Sequence, residues 1–151
     1  MKILSTAFPL FGLLFSIWQS DSLVPPNEPV DIYKEALNKY ARYLKTVNGF
    51  KKSGTLYVQN ATYIKTVLPD SLAGYHIEII SEKDIFQKVK YLKSVNLIRI
   101  VPAYISNGFV IVNVLDIAAQ AKGNNLIYSN GGGISAKFGY NCETNKYYLV
   151  N

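Results

Sequence analysis

A two-residue turn signal between two long apolar runs most constrains the fold of this chain. The runs "VNLIRIVPAYI" (95–105) and "FVIVNVLDI" (109–117) are separated only by Ser106, Asn107 and Gly108. Asn-Gly is the favoured pair for a type I′ turn, because both central residues of that turn need a positive φ. The sequence therefore predicts an antiparallel hairpin that turns at Asn107-Gly108.

The hairpin also predicts which residues lie opposite each other. If Ser106 faces Phe109, counting outward places Arg99 opposite Asp116. Such a cross-strand ion pair contributes about 0.2–1 kcal/mol, so we expect Arg99 and Asp116 to form a structural ion pair. Strand 109–117 is apolar on both faces, which predicts a central strand that is covered on both sides.

Hydrophobic periodicity predicts the remaining elements. Residues 30–47 carry the one-face pattern of a helix that ends at Asn48-Gly49, and Ser81 is placed to cap a second helix that runs to Leu92. Segment 60–74 reads as a connection with one or two helical turns before Pro69. Further strands are expected at 54–59, 75–80, 134–140 and 146–150.

This order of elements predicts an α+β fold. An N-terminal helix and a second helix should pack on one face of a mainly antiparallel, curved sheet of about six strands. The chain has 151 residues, a length that suits one domain with its own core.

The N-terminus has the pattern of an export signal. Lys2 precedes a stretch without charge from Ile3 to Trp18, and Ser20 and Ser22 provide small residues at a cleavage site. We expect a signal peptide over 1–22, a proline-rich linker over 23–29 and a single α+β domain over 30–151. The mature protein would then be periplasmic or extracellular, without a stable membrane span. A retained N-terminal anchor is the alternative.

Two later stretches carry a family resemblance. "LIRIVPAYISNGFVIVNVLDI" and "GGGISAKFGYNCETNKYYLV" resemble a group of small exported proteins of Bacteroidota type with no known activity. The order of helix and curved sheet is also loosely similar to the cystatin-like and nuclear-transport-factor-like cone folds. The first resemblance implies an extracytoplasmic location, and neither implies a functional residue.

Charge and cysteine content narrow the range of functions. The net charge is +6, yet no nucleic-acid-binding motif is present and nucleic acid is not an expected partner. Cys142 is the only cysteine, so the chain cannot form an internal disulfide or a cysteine-type zinc site. No metal or cofactor is predicted. An exported thiol could instead link two copies, so a dimer through Cys142 is an alternative to the free thiol.

Three residues are candidates for catalysis. His76, the only histidine, alternates with Glu78 on one face of a predicted strand, a pair that can relay a proton. Cys142 could act as a nucleophile if His76 lay close to it in space. These residues define one hypothesis, a small extracytoplasmic hydrolase that uses His76 with Glu78 or Cys142. A solvated polar strand face is the simpler interpretation.

Binding residues form the second set of candidates. The run "SNGGG" lacks a following helix, so we interpret 130–133 as a strand-entry turn or bulge, with a glycine rim beside Lys137 as the alternative. Tyrosines on strands favour either sheet packing or a partner-facing surface. The candidate ligand-binding residues are Tyr104, Tyr128, Lys137 and Tyr140.

The preferred hypothesis is therefore an exported, non-catalytic binding or interaction domain. Its partner would be a protein or a small molecule that the sequence does not identify. The hydrolase is one alternative, and a structural, envelope-associated protein is the other.

Overall fold

The structure is a computed structural model that describes residues 31–47 and 53–150. The expected signal peptide, the proline-rich linker and the Asn48-Gly49 helix stop lie outside these described residues.

Two helices and eight strands form the described part of the chain. The helices are α1 (Ile32–Leu44) and α2 (Glu82–Leu92). The strands are β1 (Gly54–Gln59), β2 (Ser71–Leu72), β3 (Tyr75–Ile80), β4 (Ser94–Ile100), β5 (Tyr104–Ser106), β6 (Phe109–Lys122), β7 (Asn125–Asn141) and β8 (Lys146–Val150).

The strands form one curled sheet in the order β2-β3-β1-β4-β6-β7-β8, and β5 also pairs with β6. The α+β class is confirmed. The expected sheet is wrong in two respects, because the observed sheet has eight strands and is mixed. β1 runs parallel to both β3 and β4. Parallel pairing arises because α2 carries the chain from β3 over β1 to β4, as a crossover connection does.

The two helices cover opposite faces of the sheet, so the expectation that both pack on one face is wrong. α1 packs in a cluster with Leu56, Ile98, Val112 and Phe138. We call this side the α1 face. α2 packs in a second cluster with the intervening strand residues, whose side chains point to the opposite face. Among them are Val95, Leu97, Ile117 and Ala119. We call that side the α2 face.

Local sequence explains where both helices begin. The Asp31 side chain accepts a hydrogen bond from the Tyr33 amide at 3.0 Å, and the Ser81 hydroxyl accepts one from the Asp84 amide at 3.3 Å. Each contact satisfies a backbone donor that the first helical turn leaves free. The predicted cap at Ser81 is confirmed. The apolar pattern of α2 also predicts that Leu92 is buried, but Leu92 is 60% exposed at the end of the helix.

The hairpin turn is confirmed, but the predicted register away from it is wrong. Asn107 and Gly108 have φ of 51° and 76°, and Ser106 pairs with Phe109. The ladder breaks at residues 101–103, between β4 and β5, where Pro102 has no amide hydrogen to donate. The β4–β6 pairing is shifted by one residue relative to the β5–β6 pairing, so Arg99 lies opposite Leu115.

The predicted ion pair between Arg99 and Asp116 is therefore wrong. Asp116 lies opposite Ile98 and accepts a hydrogen bond from the Tyr40 hydroxyl of α1. Arg99 donates from Nε to the Gln59 side chain at 2.7 Å on the α2 face. The one-residue shift places the two charges on opposite faces of the sheet, because strand side chains alternate.

The glycine run forms a bulge, as one of the two predicted alternatives, but it lies inside β7 and not at the entry of a strand. In the β6–β7 ladder Asp116 pairs with Gly132 and Ile117 pairs with Asn130, which leaves Gly131 as the extra residue. At Gly133, a Cβ would lie 2.2 Å from the Val114 carbonyl oxygen. β7 therefore passes through the glycines as one strand, because only glycine permits this close approach.

The expected helical turns before Pro69 are absent, since residues 60–70 form only turns, bends and extended chain. Within this connection the Tyr63 hydroxyl donates to the Ile100 carbonyl oxygen. A side-chain bond to the end of β4 therefore holds the segment against the sheet.

Candidate functional site

α2 covers only part of its face of the sheet. Ile85 and Val89 are buried against β4 and against residues 117–119 of β6. No described helix covers the α2-face side chains nearer the hairpin, and we call this surface the open half. Its members are Arg99, Tyr104, Phe109, Ile111, Asn113, Ser135, Lys137, Lys146, Tyr148 and Val150.

Strand pairing aligns these side chains in rows. Tyr104 pairs with Ile111, Ile111 with Lys137, and Lys137 with Val150, so one row spans four strands. Neighbouring strands lie about 4.8 Å apart. Tyr104 and Lys137, two of the candidate binding residues, therefore lie about 10 Å apart on the same face.

Aromatic rings lie beside two of the three cations of the open half, and a hydrogen bond joins its two neutral polar side chains. The Lys137 ammonium lies 3.6 Å from the centroid of the Phe109 ring. The Arg99 guanidinium lies 5.2 Å from that of Tyr128, at the border of the open half. The Ser135 hydroxyl donates to the Asn113 side-chain oxygen at 2.6 Å. Cation–π contacts hold these charges without neutralising them.

Carboxylates are absent from the strand positions of the open half. Of the acidic side chains on the central strands, Asp116 points to the α1 face and Glu78 lies on β3, where it pairs with Lys88 at 3.3 Å. Arg99, Lys137 and Lys146 therefore have no acidic neighbour among the aligned residues. Such a surface can accept an anionic group beside a flat apolar one.

Tyr148 adds an exposed ring to the open half. It pairs with Gly139, where a Cβ would lie 2.4 Å from the tyrosine Cζ. The ring thus occupies the space that a side chain at position 139 would take. Tyr148 remains 52% exposed, so it presents aromatic area while its position is fixed by the backbone beneath it.

The structure places His76 and Glu78 on the same strand and Cys142 on a turn in another part of the sheet. His76 and Glu78 share the α2 face of β3, but Glu78 is engaged by Lys88 of α2, and their hydrogen bond raises the pKa of that ammonium. His76 is exposed. Cys142 is also exposed, in the turn after β7, and three strands separate β3 from β7 in the sheet.

The other two tyrosine candidates lie away from the centre of the open half. Tyr128 lies beside α2, and burial raises the pKa of its hydroxyl, which has no hydrogen-bond partner among the described residues. Tyr140 points to the α1 face, where its ring packs 5.1 Å from that of Tyr147. Of the four predicted binding residues, only Tyr104 and Lys137 lie within the open half.

Other parts of the described structure offer less to a ligand. A shallow groove of about 320 Å³ lies between α2 and the β6–β7 turn, lined by Glu82, Lys83, Phe86, Gln87, Asn124, Asn125 and Leu126. It mixes both signs of charge. No group of three or more metal-binding side chains occurs within 31–47 and 53–150. Neither of the two described helices has the length and apolar character to cross a membrane.

Sequence reasoning missed most of the open half, including Phe109, Asn113 and Ser135. The signal for them was present as the alternation of each strand. That alternation identifies a shared surface only when the strand order and the register at Pro102 are known.

No protein-family model matches the chain, and comparisons with curated proteins and with solved structures found no significant match. The resemblance to exported Bacteroidota-type proteins and to the cone folds therefore stays a prediction.

Proposed function

We propose that this chain is an exported, non-catalytic binding domain whose open half binds an anionic partner. One observation carries the proposal. Three cations, two amide or hydroxyl groups and three aromatic rings lie on one strand surface that neither described helix covers and whose strand positions have no carboxylate.

Physical chemistry supports binding at such a surface. Tyrosine and phenylalanine contribute large contact areas and lose little conformational entropy, because each has only two side-chain torsions. Lysine and arginine attract an anion at a distance and then form charge-assisted hydrogen bonds with it. Because these side chains are attached to paired strands, their backbone is already ordered. Binding therefore costs little additional conformational entropy.

The alternatives have less support. A hydrolase built on His76 would need Glu78 released from Lys88, or Cys142 moved across the sheet. No feature of the described residues specifically supports a structural envelope role. Linkage of two copies through the exposed Cys142 stays a prediction, and it is compatible with binding at the open half.

The N-terminal sequence supports export, which an intact mass can test. Chain produced in an exporting host should begin at Leu23, after cleavage at Ser22. A chain that keeps its uncharged N-terminal run would contradict cleavage and favour the anchor.

Binding itself can be tested with defined polymers on the full chain. We expect immobilised protein to bind alginate and poly-glutamate at low salt but not neutral dextran. Lys137→Glu should reduce binding about tenfold, because it reverses a charge in the open half. Lys34→Glu makes the same charge change on α1, at an exposed position, and should have little effect.

Two results would count against the proposal. One is the absence of binding to either acidic polymer. The other is an equal loss in both variants, which would mean that net charge alone is responsible. A thermal melt of each variant shows that a loss of binding is not a loss of fold.

A further inference from the structure

The open half ends at a sheet edge that no other described strand pairs with. β8 is the last strand in the sheet order, and within the described residues it pairs only with β7. Natural edge strands are commonly blocked by proline, bulges, charged side chains or short length. The only charged residue of β8 is Lys146, at its first position. β8 contains no proline, and its five residues pair with β7 without a register shift. Its outer backbone groups can therefore pair with another strand.

The side chains of β8 continue both faces of the sheet. Lys146, Tyr148 and Val150 belong to the open half, whereas Tyr147 and Leu149 point to the α1 face. A strand added at this edge would place every second side chain beside Lys146 and Tyr148. Those positions favour carboxylates, because the nearest fixed charges of the open half are Lys146 and Lys137.

We propose that β8 binds an extended peptide that carries acidic residues at alternate positions and joins the sheet as a further strand. This inference rests on the proposed function, because it names the partner of the open half. Backbone hydrogen bonds to β8 supply affinity, and the alternate acidic residues supply specificity through Lys146 and Lys137.

The same features argue against two other occupants. In a symmetric antiparallel pairing of two copies centred on Tyr148, Lys146 would face Val150, so no carboxylate would meet the cation. A polysaccharide offers no regular series of donors and acceptors at the spacing of a strand, and would leave the β8 backbone groups unpaired.

A random peptide library displayed on phage, selected on the immobilised full chain, tests the proposal. Selection should enrich sequences with Asp or Glu at every second position. A synthetic peptide of the enriched sequence is then N-methylated at alternate amides. Successive amides of a strand point to opposite sides, so methylation of one set should weaken binding at least about tenfold and methylation of the other should not.

Protein variants identify the site that the peptide occupies. Lys146→Glu should weaken the selected peptide about tenfold, whereas Lys34→Glu on α1 should leave its affinity unchanged. Thermal melts of both variants confirm that they fold.

Four outcomes would overturn the inference: no enrichment, enrichment without acidic alternation, equal effects of the two methylation patterns, or no effect of Lys146→Glu. If acidic polymers still bind through Lys137 when the library yields no such peptide, the two proposals separate. The proposed function would then stand, and only strand addition at β8 would be excluded. A concentration-dependent dimer that Lys146→Glu disrupts would instead assign the edge to a second copy.

Discussion

Tyr40 forms the central polar contact of the α1 face. The residue is fully buried, and its hydroxyl donates to Asp116 beside the bulge of β7. Burial and the hydrogen bond to Asp116 both raise the pKa of Tyr40 above its ordinary value of 10.0. The folded state therefore favours the neutral hydroxyl.

This contact predicts a loss of stability in alkali. Above about pH 10 an unfolded tyrosine releases its proton while the folded Tyr40 keeps its own, so the free energy of unfolding falls as pH rises. Tyr40→Phe should make that fall shallower by up to about 1.4 kcal/mol per pH unit. Urea unfolding of both proteins between about pH 9 and 11 measures this slope of the free energy of unfolding against pH. Tyr43→Phe, at a position 43% exposed, is the matched control. An unchanged slope in Tyr40→Phe would contradict the assignment.

The glycine run provides a second test at a single position. Gly133 has φ of 146°, and a Cβ there would meet the backbone of Val114 and Leu115 at 2.2 and 2.9 Å. Gly133→Ala should therefore destabilise the fold by about 2–4 kcal/mol. Gly123, in the β6–β7 turn, also has a positive φ but has open space around it. Gly123→Ala should cost only about 1 kcal/mol. Equal losses in denaturant unfolding would mean that β7 does not approach β6 so closely.

At the scale of elements, the sequence patterns correctly predicted features that depend on residues close in sequence. β1, β3 and β8 have the predicted bounds, and α2 begins at its predicted cap. Pairing was harder to predict, because it depends on connections between elements. The parallel placement of β1 follows from the α2 crossover, and the one-residue shift at Pro102 reversed the predicted face of Asp116 relative to Arg99.

The cap of α2 gives a prediction at this scale. The Ser81 hydroxyl accepts from the Asp84 amide and donates to the Asp84 carboxylate. Ser81→Ala removes both contacts and should cost about 1 kcal/mol of unfolding free energy. Ser81→Thr keeps the hydroxyl and should cost less. If alanine and threonine have the same effect in chemical denaturation, the cap does not support α2.

Most of the candidate site could not be predicted from the sequence, because it too depends on how the strands pair. Tyr104 and Lys137 were identified from residue type, but they lie on strands separated by β6. Their relation to Tyr148 and Lys146 depends on the whole ladder from β5 to β8. Residue type thus indicated binding chemistry, and only the register showed which side chains share a surface.

At the scale of the whole molecule, the fold covers its two faces unequally. α1 closes the α1 face over the larger core, whereas the shorter α2 closes only part of the other face. The surface that neither described helix covers contains cations without carboxylates, in a chain whose net charge is +6. We expect an anionic partner to be attracted by the overall charge and held at the open half.

A titration of the isotopically labelled full chain with poly-glutamate, followed by backbone amide NMR, tests this claim most directly. The account predicts chemical-shift changes concentrated in β5 to β8, around Lys137, Lys146 and Tyr148, that weaken as salt is added. Changes spread over the lysines of α1 and α2, or confined to the groove around Lys83 and Phe86, would show that the open half is not the binding surface.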